Sequence, residues 1–115
     1  MQPVAINDEG ARTTNDEFDA YAHNVAVLKR MVAPSGLWAV VKADAYGHGA
    51  VPVSRAAVSA GVDGLCVAIT AEGIDLRETG IDAPILIFSE QPVEEIGDIV
   101  RHRLTATVAV RVSLH

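Results

Sequence analysis

Apolar residues recur along this chain in two alternating rhythms, one of helical period and one of short unbroken runs. From Asp19 the helical rhythm comes first. Tyr21, Val25, Leu28 and Val32 share one face, with Ala22 and Met31 beside it, until Pro34, Ser35 and Gly36 stop the pattern. LWAVVKA (37–43) follows, a run of β-formers without alternation, which predicts a strand buried on both faces. The two rhythms then repeat. Val51 to Ala60 predicts a helix with Pro52 in its first turn and Gly61 closing it. GLCVAI (64–69) predicts a second strand, and Thr70 is placed to cap a helix from Ala71 to Thr79 that Gly80 ends. PILIFS (84–89) predicts a third strand, Pro92 to Arg103 a further helix, and LTATVAV (104–110) a fourth strand. In that last helix Glu94 and Glu95 come early and Arg101, His102 and Arg103 late, as the helix dipole favours.

Strands alternating with helices imply right-handed βαβ units on a parallel sheet. The expected fold class is therefore α/β, with about four parallel strands, as part of a doubly wound sheet or of a (β/α)8 barrel. A complete barrel takes about 250 residues, so 115 residues do not close one alone. Residues 1–16 carry no sustained period and are rich in Asn, Asp, Thr and Gly; they read as a loose arm before a single domain over 17–115.

Composition narrows the function classes. Half the residues are apolar and aromatics are scarce, so the core is built from small aliphatic side chains. A formal charge of −6, with bases scattered along the chain, argues against a nucleic-acid partner. No apolar run approaches the ~20 residues of a membrane span. The polar, acidic N-terminus resembles no secretory signal, so a cytoplasmic setting is expected. The one cysteine, Cys66, sits in the apolar run GLCVAI and has no metal-ligand spacing around it; it reads as a small core side chain. No metal site is expected.

Parallel α/β folds bind ligands at the carboxyl ends of their strands. Of the loops there, only ADAYGHG (43–49) carries a dense set of reactive groups: Lys42 at the strand end, then Asp44, Tyr46 and His48. A partly desolvated lysine has a lowered pKa, and its neutral amine attacks an aldehyde. On position alone, the favoured reading of Lys42 is a lysine reaching past a strand end into water. Tyr46 can donate to an anion such as a phosphate, Gly47 and Gly49 admit close backbone approach, and a helix N-terminus follows. The spacing is that of neither a dinucleotide fingerprint nor a Walker loop. His48 reads as a turn residue rather than a catalyst, and Asp44 equally as a turn former or a hydrogen-bond partner. Glu72 and Asp75 read as solvated, and Glu90 faces the loop end without an identifiable partner.

VVKADAYGHGA (40–50) strongly resembles the pyridoxal-phosphate attachment motif of bacterial alanine racemases. The resemblance extends through AHNVAVLKR (22–30), VAITAEGIDLRETGIDAPILIFSE (67–90) and RHRLTATVAV (101–110), covering about residues 19–110. It implies a partial (β/α)8 barrel that binds pyridoxal 5'-phosphate and interconverts L- and D-alanine, supplying D-alanine for the cell wall. It assigns Lys42 as the residue that binds the cofactor covalently and then serves as acid or base on one face of the substrate Cα. It assigns Tyr46 as a hydrogen-bond donor to the cofactor phosphate.

Two departures accompany it. The family's opening strand is expected just before the first helix, where this chain reads TTNDEFDA (13–20), a poor strand. The second half of the barrel and the following β domain, with the tyrosine that acts on the opposite face, have no counterpart in these 115 residues. The 115-residue chain is therefore expected to behave as a fragment, inactive alone. Two alternatives remain open: a self-associating half-barrel module, forming a homo-oligomer through its exposed edges, or a bare cofactor carrier.

Overall fold

A computed structural model describes residues 2–7, 15–42 and 49–109. It shows five strands, β1 (Gln2–Asn7), β2 (Leu37–Lys42), β3 (Gly64–Val67), β4 (Ile85–Glu90) and β5 (Thr105–Thr107). They pair in the order β1-β2-β3-β4-β5, and every pairing is parallel. Helices α1 (Asn15–Val32), α2 (Ala50–Ala60), α3 (Thr70–Glu78) and α4 (Ile96–Arg101) connect them, α4 being preceded by a 3-10 turn at Val93–Glu95. Sequential parallel strands with a helix in each crossover are the arrangement of a (β/α) barrel segment.

The expected α/β partial barrel of parallel strands alternating with helices is the one observed, and within residues 1–16 it gains a strand. Gln2–Asn7 is an edge strand, running from the Gln2–Leu37 pair to the Asn7–Lys42 pair beside β2. Its sequence QPVAIN is too short and too polar at its ends to stand out, and an edge position tolerates Pro3 because it needs pairing on one side only. Helix α1 also starts earlier than its apolar period, at Asn15.

Alternation along the strands sorts the core. Leu37, Ala39 and Val41 of β2, Leu65 and Val67 of β3, and Ile85 and Ile87 of β4 are buried against the helices. They meet Val25 of α1, Val53 and Ala57 of α2, Leu76 of α3 and Ile99 of α4 in one cluster. The opposite parity carries Trp38, Val40, Cys66, Leu86 and Phe88, on the face that a closed barrel turns inward. On that face the Trp38 ring lies over Gly64, where an added Cβ would come within 2.4 Å of it. Only glycine leaves room for the indole there.

Three helices end in the same way. Val62 N–H closes on the Ala57 carbonyl at 3.2 Å, Ile81 N–H on Leu76 at 3.2 Å, and Leu104 N–H on Ile99 at 2.9 Å. Each closure joins two buried apolar residues, so the cap also seats the chain for the next strand. The left-handed residue of each turn is Gly61 (φ 106°), Gly80 (φ 93°) and Arg103 (φ 56°). Arg77 fastens the third turn to the second. Its guanidinium donates to the carbonyls of His102 at 2.8 Å, Arg103 at 3.0 Å, Ile81 at 2.8 Å and Ala83 at 2.7 Å.

Candidate functional site at the carboxyl ends of the strands

Because all five strands are parallel, their carboxyl ends open on one rim. Lys42 is the last residue of β2, next to Asn7 of β1, and has the same parity as Trp38 and Val40. That parity places position 42 on the face that no described helix covers. Asp44, Tyr46 and His48 lie outside the described residues. The chain returns at Gly49, which precedes α2 with no side-chain hydrogen bond capping the helix and no acidic residue in its first turn. Among the described residues no side chain caps the first amides of α2, the groups that an anion at the rim would meet.

The sheet register adds a residue that the sequence did not single out. Val40 pairs with Cys66 and Cys66 with Leu86, so two residues further on, positions 42, 68 and 88 share one level. Phe88 is 49% exposed on the inner face at that level, roughly 10 Å from position 42 across two strand spacings. The signal was present in PILIFS, where Phe88 falls on the inward parity, but its neighbourhood to Lys42 requires the register.

The second and third loops are stitched together rather than left reactive. The Glu72 carboxylate accepts the amides of Ala68 at 2.8 Å and Ile69 at 3.0 Å, capping α3. Glu72 is therefore a helix cap and not a solvated side chain, and it does the capping expected of Thr70. Thr70, 2% exposed, instead donates its hydroxyl to the Glu95 carboxylate at 2.9 Å. The Thr70 amide donates to Gln91 Oε1 at 3.3 Å, and Gln91 Nε2 donates to Ser89 Oγ at 3.0 Å. Ser89 Oγ in turn donates to the Ala68 carbonyl. Asp75 and Glu90 are exposed, and no hydrogen bond ties their carboxylates into this network. Asp75 lies with Glu72 at the wall of a small apolar pocket between α2 and α3, lined by Val41, Ala50, Val51, Val67 and Leu76. Among the described residues no cluster of His, Cys, Asp and Glu could hold a metal ion. No described helix is long and apolar enough to cross a membrane.

Residues 17–114 match the family described as alanine racemase, N-terminal domain. The alanine racemase of Nostoc sp. is 50% identical over 94 residues, covering 80% of this chain and 24% of its own. That of Ligilactobacillus salivarius is 48% identical over 91 residues, 78% of this chain and 24% of its own. Among solved structures, the Bacillus anthracis alanine racemase with bound L-Ala-P superimposes with a TM-score of 0.73 at 34% identity. It matches 92% of this chain and 25% of its own, and the Enterococcus faecalis alanine racemase gives 0.71 at 35% identity. The chain spans about a quarter of the length of the relatives it matches.

Proposed function

The chain belongs to the alanine racemase N-terminal domain family, and on that premise we propose that it is the cofactor-attachment part of an enzyme interconverting L- and D-alanine. The observation that carries the reading is VVKADAYGHGA ending a parallel strand at Lys42, on the uncovered face of the sheet. The cofactor is pyridoxal 5'-phosphate, and the residues at the rim suit it. Lys42 supplies a primary amine at a strand end, Phe88 a half-open aromatic wall at the same level, and α2 an N-terminus without a side-chain cap. When bound, the cofactor supplies an electron sink for the bond to hydrogen at the amino acid's Cα.

The chain's own residues supply the rest. Lys42 binds the cofactor covalently and then holds or delivers a proton on one face of Cα. Tyr46 donates its hydroxyl to the phosphate, as the resemblance of the motif implies, and the N-terminus of α2 favours an anion as well. Phe88 excludes water from one side of the ring. A racemase needs a second acid or base on the opposite face, and no residue of these 115 is assigned to it. The 115-residue chain thus holds cofactor without racemising alanine. D-Alanine supply to the cell wall, from the cytoplasm, is the physiological role this reading carries.

A spectroscopic titration tests the phosphate assignment. Tyr46→Phe is expected to weaken pyridoxal phosphate binding about tenfold, in line with the loss of one hydrogen bond to a charged group. Binding of pyridoxal, which lacks the phosphate, should stay unchanged. Equal loss for both ligands would contradict the role of Tyr46.

A further inference from the structure

Around Phe88 the regular backbone ladder gives out on both sides of β4. Pairing with β3 ends at Val67–Ile87, and β3 itself stops at Val67 before α3 begins at Thr70. Toward β5 the strand is bulged. Leu86 pairs with Thr105 and Glu90 with Thr107, so four residue steps on β4 are spanned by two on β5. Phe88 lies in the middle of that stretch, 49% exposed and without a regular pair on either neighbour. A bulge bends its strand and re-aims the side chains on it. A slip of one residue here would carry the ring from the inner face to the helix side.

Side-chain hydrogen bonds take over where the ladder stops. On the β3 side, Ser89 Oγ donates to the Ala68 carbonyl. On the β5 side, Thr107 Oγ1 donates to the Ile87 carbonyl at 2.6 Å. The two bonds hold the residues immediately before and after Phe88. Gln91 braces them, since its Nε2 donates to Ser89 Oγ at 3.0 Å and to the Glu90 carbonyl at 3.1 Å. Its Oε1 accepts the Thr70 amide at 3.3 Å. The chain of donors runs in one sense. Ser89 gives its single proton to Ala68, so its lone pairs take the Gln91 amide, which turns Gln91 Oε1 toward Thr70. Glu72 already caps α3. The Ser89–Gln91 arm is therefore not required for that helix end, and what it fixes is the piece of β4 that carries the ring.

We propose that Ser89, Gln91 and Thr107 are positioning residues, which pin the bulge in β4 and so hold the Phe88 ring at the level of position 42. They touch no ligand themselves and act through Phe88. The consequence for cofactor binding rests on the reading of Lys42 and Phe88 given above, whereas the hold on the ring does not.

The chain has two phenylalanines, Phe18 in α1 and Phe88, which makes the ring directly visible. Uniform labelling with 4-fluorophenylalanine gives two fluorine resonances, and the one missing from Phe88→Leu belongs to Phe88. Ser89→Ala and Thr107→Val are each expected to broaden or split that resonance and to leave the Phe18 resonance in place. Ser89→Thr, which keeps the hydroxyl, should restore a single line. Gln91→Met removes the brace but neither hydroxyl, so it is the milder variant and should give the same change. A Phe88 resonance unmoved in folded Ser89→Ala and Gln91→Met would overturn the proposal. The second measurement is pyridoxal phosphate affinity. Ser89→Ala should weaken binding about fivefold in the natural chain, the scale of one hydrogen bond, and not at all in a Phe88→Ala background. Equal loss in both backgrounds would show that Ser89 acts without Phe88 and would also overturn it. Failure of the cofactor reading looks different: no adduct then forms on Lys42 in any chain, and the fluorine resonance still decides whether the hydroxyls hold the ring.

Discussion

At the scale of single residues, burial decides what Cys66 does. It lies on the inner face between Val40 and Leu86, 5% exposed, and desolvation raises its thiol pKa above the ordinary value. The folded chain therefore keeps the proton at pH values where the unfolded chain has lost it. The resulting stability is fully present below the unfolded thiol pKa of about 8.5 and is lost as pH rises through the folded value. Urea midpoints measured from pH 7 to 10 should fall more steeply for the natural chain than for Cys66→Ala. Parallel curves would show that Cys66 does not titrate differently on unfolding. The same placement keeps the thiol unreactive toward alkylating agents at pH 8 until denaturant is added.

At the scale of elements, the helix-to-strand turns carry the register, and they explain what was legible in the sequence. Gly61 and Gly80 mark two helix ends because glycine alone adopts the left-handed turn without strain. The third turn was less clear, since Arg103 takes that conformation and nothing in its chemistry announces it. Replacing it should help. Arg103→Gly removes about 1–2 kcal/mol of left-handed strain and adds about 0.4–1 kcal/mol of unfolded-chain entropy. The Arg103–Asp82 pair, 71% and 86% exposed, contributes almost nothing, and the Arg77 bond to residue 103 uses its backbone carbonyl. A net stabilisation of roughly 0.5 kcal/mol is expected in equilibrium unfolding. A loss of stability would mean that the Arg103 side chain holds the turn.

Arg77 shows the limit of reading elements one at a time. From the sequence it is one more helix-surface base, whereas the fold gives its guanidinium four backbone carbonyls from two different loops. Burial and the nearby Arg103 lower its pKa, with Asp82 opposing them, but a guanidinium stays charged throughout the working range. Arg77→Ala leaves those carbonyls without their shared donor and should cost about 2 kcal/mol, read as a lower urea midpoint. An unchanged midpoint would show that water replaces the guanidinium freely.

At the scale of the whole molecule, the parallel sheet and its open rim follow from periodicity, while the site follows from one loop. Helices and strands alternate so regularly that the partial barrel was readable. The edge strand Gln2–Asn7 was not, because its pairing with β2 is set by the fold and not by its own short pattern. Lys42 is visible as a candidate from position, and the proposal that it is a cofactor lysine rests on the resemblance carried by the residues after it. Phe88 becomes a candidate only through the register that brings β4 level with β2. The helix cap at Glu72 and the Thr70–Glu95 link were likewise hidden, since both depend on which loops become neighbours.

The central claim is that Lys42 carries the cofactor. The chain contains two lysines, Lys29 and Lys42, which makes the test direct. Lys29 lies at the opposite end of the sheet, bonded to the Gly61 carbonyl and 3.8 Å from Asp63. The purified chain is mixed with pyridoxal phosphate, reduced with borohydride and digested, and the labelled peptide is identified by mass. The account predicts a phosphopyridoxyl group on Lys42 and none on the Lys42→Ala chain. A label on Lys29 that persists in Lys42→Ala, with Lys42 unmodified in the natural chain, would contradict it.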